Sequence, residues 1–191
     1  TGLTANITQP AILMWNTFGN LGTETTEPST YNNPNATAAS LSISGATPGT
    51  NANRFGGTNW GTTTSVDLTK YIQFTVTPNS GYQFTPTSLS FIWDRSGTGP
   101  NTLAIRSSAD NYATNLGTIT SLPGSTSTVN TITLSGLTDV QQATTFRVYG
   151  YGATASGGTG GFDTAVSQNN VILYGSTSLI TGSTARSEEH T

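Results

Sequence analysis

Hydrophobic and polar residues alternate along most of this chain with a period of two. Over residues 70–78, Ile72, Phe74 and Val76 fall on one side of an extended backbone and Gln73, Thr75 and Thr77 on the other, as in a half-buried strand. Residues 88–95 repeat the pattern, with Leu89, Phe91 and Trp93 set against Ser90, Ile92 and Asp94, and residues 128–134 do so through Ile132 and Leu134. Further strands are expected over 11–18, 39–44, 102–108, 116–120, 145–151 and 170–175. Turn-forming clusters separate them, among them Thr47-Pro48-Gly49, Pro78-Asn79-Ser80-Gly81, Ser96-Gly97-Thr98-Gly99-Pro100, Leu122-Pro123-Gly124 and the run 156–161. A helical turn is expected only over 137–143. About nine short strands with this punctuation predict an all-β, antiparallel, two-sheet sandwich.

Composition sharpens that picture. Thr, Ser, Gly and Asn make up just over half of the 191 residues, while Leu, Ile, Val and Phe supply only 37. Disorder would follow if the net charge were also high, but it is -3, and 17 aromatic residues remain to build a core. A chain of this length can bury roughly 70% of its unfolded surface as one domain. The 39 threonines suit a pleated surface paved by hydroxyls. Thr-x-Thr pairs occur at 75/77, 118/120, 126/128 and 131/133, at irregular intervals, so no continuous threonine ladder follows.

Several partners are excluded. Six basic residues cannot form the electrostatic footprint that nucleic acid or an anionic membrane requires, and no apolar run is long enough to span a bilayer. There is no cysteine and one histidine, His190. That histidine belongs to an abruptly charged ending, Arg186-Ser187-Glu188-Glu189-His190-Thr191, which resembles the translation of a DNA sequencing-library adapter. On that reading 186–191 are not native and the natural chain continues past about Thr184. Without them no histidine remains, which removes imidazole bases and the usual zinc, copper or iron ligands. The chain starts without Met, and the apolar stretch 11–15 is too short for a signal peptide, so a processed or truncated start is expected. The expected organisation is a linker or pairing segment over 1–10, a sandwich over 11–176 and a second linker over 177–185.

Five blocks carry a family resemblance. Tyr71-Ile72-Gln73-Phe74-Thr75-Val76-Thr77-Pro78-Asn79-Ser80-Gly81-Tyr82 comes first, then Ser88-Leu89-Ser90-Phe91 and Arg95-Ser96-Gly97-Thr98-Gly99-Pro100. Ala104-Ile105-Arg106-Ser107-Ser108-Ala109-Asp110 and Phe146-Arg147-Val148-Tyr149-Gly150-Tyr151 complete the set. In this order they resemble an exported bacterial β-sandwich module of large surface or secreted proteins, often found beside sorting signals such as PEP-CTERM or type IX secretion domains. The resemblance spans about 12–176 and implies a jelly-roll-like, carbohydrate-binding-type layout and an extracellular or cell-surface location. Such modules tend to close on a strand resembling Phe-Arg-Ile-Asp-Asn-Val. Here Asn169, in Ala165-Val166-Ser167-Gln168-Asn169-Asn170-Val171, stands where the acid is expected, which takes a ligand from any structural calcium site borrowed from jelly-roll modules.

Arg95 and Arg106 flank the turn 96–100 and are expected to sit on the two arms of a hairpin. A pairing sum of 200 sets Asp94 against Arg106 as a cross-strand ion pair; a sum of 201 sets Arg95 against Arg106, which then need a shared carboxylate such as Asp110 or a bound anion. Either arginine could also lock the turn by hydrogen-bonding loop carbonyls. Asp110 is expected to form a turn, with an oxygen ligand to calcium as the alternative.

Sugar binding on a sandwich needs flat rings exposed beside polar groups. Trp93 alternates in phase with Phe91 and Leu89 and is expected in the core, as is Trp15. Trp60 follows a Gly/Asn loop, 51–59, that offers donors from Asn53 and Arg54, which makes it the best stacking candidate. Arg147, Tyr149 and Tyr151 share the strand face opposite Phe146 and Val148 and could form an exposed stripe. Glu24 and Glu27, three apart in a long loop, offer only a weak case for paired-carboxylate catalysis. No enzyme and no cofactor are therefore expected. The expected function is a non-catalytic extracellular accessory module of a larger bacterial surface protein, carbohydrate-binding-like or adhesive, with a polysaccharide or surface glycan as partner. The alternative is a structural subunit of a surface layer or filament that self-associates through its β edges, the leading segment 1–10 pairing with a neighbour.

Overall fold

The computed structural model describes residues 9–181. The charged ending and most of the leading segment, with the expectations attached to them, lie outside these residues. The described residues form a β-sandwich of thirteen strands in two antiparallel sheets. One sheet has seven strands: β1 (Ala11–Trp15), β3 (Tyr31–Asn32), β5 (Arg54–Gly57), β7 (Tyr82–Arg95), β10 (Val129–Thr133), β12 (Gly160–Asp163) and β13 (Val171–Leu179). The other has six: β2 (Thr26–Pro28), β4 (Ser40–Ser44), β6 (Tyr71–Val76), β8 (Thr102–Ser107), β9 (Gly117–Ile119) and β11 (Thr144–Tyr151).

The period-two residues face each other between the sheets. Trp15 of β1 packs on Phe74 of β6, with ring centroids 5.0 Å apart, and Phe84 of β7 meets Phe146 of β11 at 6.4 Å. Ile12, Leu13, Ile72, Val76, Leu89, Phe91, Trp93 and Val148 are likewise buried. Apolar surface removed from water at about 25 cal/mol per Å2 is the main favourable contribution, and these few large side chains supply much of it.

All nine expected strands are present, with four short ones besides. β7 is the spine of the larger sheet: it runs 14 residues and pairs with β10, β12 and β13. β13 continues past Ser176 to Leu179, where it still pairs with Tyr82, so the sheet extends into the segment expected as a linker. Residues 137–143 do not form the expected helical turn. Val140 makes an antiparallel bridge to Phe84, and the only helical turn among the described residues is a 3-10 turn at Ser108–Asp110.

The expected Arg95/Arg106 hairpin does not exist. β7 and β8 lie in different sheets, so the turn 96–100 carries the chain across the sandwich and neither pairing sum applies. Arg106 instead stands directly opposite Arg147 in the pairing of β8 with β11.

β5 and β12 pair through glycines, Gly57 opposite Gly160 and Gly56 opposite Gly161. A Cβ on Gly56 would come within 2.3 Å of the Gly160 carbonyl oxygen, and one on Gly161 within 2.8 Å of Arg54 Cγ. The bare backbone of Gly161 thus leaves room for the Arg54 stem to cross β12 and reach Asp94 on β7.

Candidate functional site

Three of the expected ligand residues have structural roles, Trp60 and Arg54 in the interior and Asn53 between loops. Trp60 is fully buried, its ring 5.7 Å from that of Trp93, and its indole N–H donates to the carbonyls of Gly57 (2.9 Å) and Gly160 (3.1 Å). The glycine that admits it is Gly150, where a Cβ would sit 2.9 Å from the indole. Trp60 is therefore a core plug and cannot stack on a ligand. Arg54 is 3% exposed and bridges Asp94 and Asp163, the latter at 3.1 Å. Burial pushes the Asp163 carboxyl above its ordinary value, against the pull of Arg54. Asn53 adopts a left-handed conformation (φ 64°), and its Oδ1 accepts the Gly19 N–H at 2.8 Å, which ties two loops together.

The expected exposed stripe on β11 is not found: Arg147, Tyr149 and Tyr151 share one strand face, but none of them is exposed. Ser42, Gln73, Arg147 and Arg106 stand in one row across β4, β6, β11 and β8; the next row runs Ser44, Tyr71, Tyr149 and Ala104. The Arg147 guanidinium is held between two rings, with its Cζ 4.0 Å from the Tyr71 centroid and 3.9 Å from that of Tyr112, while its Nε donates to Gln73 Oε1 at 3.1 Å. Each cation–π contact is worth about 0.5–2 kcal/mol depending on desolvation. Arg147 and Tyr151 are half-buried, but Tyr149 is fully buried, beneath this layer. Its ring meets Tyr71 edge-on at 5.7 Å and lies 5.9 Å from Arg106 Cζ; its hydroxyl has no hydrogen-bond partner. Burial pushes the phenol above its ordinary value, with the Arg147 side chain opposing first through its hydrogen-bonding approach to the hydroxyl and then through its charge.

The loop after β8 is built to deliver Tyr112. Asn111 and Tyr112 both take left-handed backbone (φ 61°), uncommon for a ring-bearing residue. Two side chains hold the turn. The Asp110 carboxylate accepts the Ala113 and Thr114 N–H groups and the Thr114 hydroxyl, and the Thr114 hydroxyl is the leading reason its pKa lies below the ordinary value. Arg106 donates from Nη1 to the Tyr112 carbonyl at 3.0 Å and from Nε to Asn115 Oδ1 at 2.7 Å. Asp110 is thus a turn-former, and Arg106 locks the loop that follows it.

Arg95 also acts as a lock, donating to the carbonyls of Leu122 (2.8 Å), Ser96 (3.1 Å) and Gly97 (3.4 Å). Asp94, set opposite Arg106 in one of the two expected registers, pairs with Arg54. The two loop glutamates are absorbed locally. Glu24 accepts the N–H groups of Leu21 and Gly22, and the buried Glu27 accepts from Asn20 at 2.7 Å. Burial raises the Glu27 pKa; around Glu24 burial is outweighed by backbone N–H groups, which lower it.

Elsewhere, a shallow groove of about 230 Å3 on the outer face of the larger sheet is lined by Ser90, Ile92, Val129, Tyr174 and the segment 168–170. Ile92 shares the outward parity of Ser90 yet is buried there. Among the described residues no group of three or more His, Cys, Asp or Glu could hold a metal ion, and no helix is long and apolar enough to cross a membrane.

Tyr71, Gln73, Tyr112 and Asn115 were not among the sequence candidates. Tyr71 and Gln73 share the outward parity of β6, a signal present in the sequence; the register that sets them against Arg147 is not, and Tyr112 reaches the site only through its turn. In comparisons with known proteins, no family model, no curated protein and no solved structure matches the chain.

Proposed function

We propose that this chain is a non-catalytic extracellular accessory module of a larger surface or secreted protein, binding a polysaccharide on the outer face of its six-stranded sheet. The observation that carries this reading is Arg147, in contact with Tyr71 and Tyr112 beside Arg106, Gln73 and Asn115. Aromatic rings next to planar, in-plane hydrogen-bonding groups on a rigid sheet are what shallow recognition of a sugar requires, because the frame is ordered before the ligand arrives. Trp60, Asn53 and Arg54 have no part in it, and Tyr149 supports the layer from below.

The test is affinity electrophoresis of the whole purified chain through gels containing a panel of neutral and acidic polysaccharides. Retardation by at least one polymer, lost in Arg147→Ala with the fold intact by circular dichroism, is the expected result. No retardation by any polymer, together with self-assembly on size-exclusion chromatography, would replace this reading with the structural-subunit alternative.

A further inference from the structure

Arg106 and Arg147 stand opposite each other on adjacent strands, where like charges repel. A protein ordinarily relieves such a pair with a carboxylate, and this one does not. No Asp or Glu among the described residues lies within 4.0 Å of either guanidinium, and the ion pairs found belong to Arg54 and Lys70. The nearest acid in sequence, Asp110, has its carboxylate taken up by Ala113 and Thr114. Each arginine is nonetheless held firmly by neutral groups. Tyr71, Tyr112 and Gln73 fix Arg147; Asn115 and the Tyr112 carbonyl fix Arg106.

These contacts leave donors over. Among the described residues, the Arg147 side chain donates only through Nε and that of Arg106 only through Nε and Nη1, so both Nη groups of Arg147 and Nη2 of Arg106 are unused. Tyr71 and Tyr112 approach the centre of the Arg147 guanidinium, and its Nη groups are the ones with which a planar fork grips an oxyanion. Beneath them lies the buried Tyr149 hydroxyl, which has no hydrogen bond within 3.5 Å and has Arg147 as its interacting side chain. Two unneutralised, pre-oriented cations on adjacent strands, in a chain of net charge -3, make a local site for one negative group.

We propose that Arg106 and Arg147 bind the anionic group of an acidic polysaccharide, the carboxylate of a uronic acid or the sulfate of a sulfated sugar. This rests on the polysaccharide-binding reading above and names its ligand class. The anion takes the place of the missing carboxylate, and the tyrosines and amides beside it contact the sugar that carries it.

The experiment is isothermal titration of the whole chain with three probes: a polyuronate, a sulfated galactan and a neutral galactan. Wild type is compared with Arg106→Gln, Arg147→Gln and Arg147→Lys, each checked for an unchanged circular dichroism spectrum. Binding to one or both acidic polymers is expected, and which arm responds identifies carboxylate or sulfate. Either glutamine variant should weaken it about tenfold or more, the loss expected for a charge-assisted hydrogen bond. Arg147→Lys keeps the charge but loses the fork and the stacking, so it should also weaken binding; general attraction to a polyanion would leave it unchanged and would overturn the proposal. Equal binding of the neutral polymer, insensitive to both glutamine variants, would overturn the acidic ligand while leaving a polysaccharide-binding module. No binding of any probe would overturn both.

Discussion

Trp60 packs against Trp93 with ring centroids 5.7 Å apart, and neither ring is exposed. This contact joins the loop after β5 to the spine of the larger sheet. Trp60→Ala is expected to destabilise the fold by about 3–5 kcal/mol, the usual cost of emptying a large aromatic site. Urea denaturation measures the loss. Under the proposed function, polysaccharide affinity per folded molecule should not change, because the ring never meets solvent.

Arg54 is the only cation among the described residues within reach of Asp163. Arg54→Met should cost about 3–5 kcal/mol, since it leaves a buried carboxylate uncompensated. Arg54→Met/Asp163→Asn should recover part of that loss, because the buried carboxylate has then gone, while the more exposed Asp94 still lacks its partner. Additive losses in a double-mutant cycle would show that the ion pair is not what couples β5 to β12.

Glu27 gives a pH signature. Burial holds its folded pKa above the ordinary 4.5, helped by the charge of Glu24 and opposed by Asn20. Between the ordinary and the raised value the folded chain therefore binds more protons than the unfolded one, and stability falls as pH rises through that window. Glu27→Gln keeps the neutral form at every pH. Its urea midpoint should match that of wild type below about pH 4 and exceed it at pH 7; a lower midpoint at pH 7 would contradict this.

Gly161→Ala tests the narrow β5–β12 contact. The added Cβ would lie 2.8 Å from Arg54 Cγ and from the Gly56 backbone. Destabilisation of about 1–3 kcal/mol is expected from overpacking, read as a lowered melting temperature. Gly49→Ala, where a Cβ would meet nothing within 4 Å, is the matched control.

Asp110→Ala should loosen the turn that delivers Tyr112, at a cost of about 1 kcal/mol for the lost hydrogen bonds. The Asp110 pKa lies below its ordinary 3.8, so its contribution is present above that value and is lost as pH falls through the folded pKa. The difference in melting temperature between wild type and variant should therefore be present at neutral pH and shrink in acid.

Much of the fold was legible because period two is a direct consequence of one face packing and one face meeting water. β6 and β11 read clearly for that reason. β5 and β12 did not: Arg54–Gly57 and Gly160–Asp163 carry two glycines each, which supply no side-chain alternation and read as turns. β2 and β3 were too short and polar to show a period. The Arg95/Arg106 hairpin failed for a different reason. Strand periodicity places a residue on a face but does not say which strand lies beside it, and here the chain crosses to the opposite sheet after Arg95. The same limit hid the site, since Arg147 was readable as outward-facing while its neighbours Arg106, Tyr71 and Tyr112 depend on register and on one left-handed turn. Trp60 misled because a loop between glycines suits either a ligand or a ring folded back into the core, and only the small space at Gly150 decides between them.

The pairing of β1 with β13 sets Trp15 opposite Val171 and Ala11 opposite Tyr174. The first described strand therefore has one neighbour close in sequence, β3, and the other, β13, near the end of the described residues. A ribosome reading from the amino end releases β1 long before that neighbour exists, and β7 likewise waits for β10, β12 and β13. Folding dominated by such distant pairings is slow, on the order of milliseconds to seconds, and it cannot finish until the last strand has emerged. Until then the larger sheet lacks β13, the strand that joins β1 to β7.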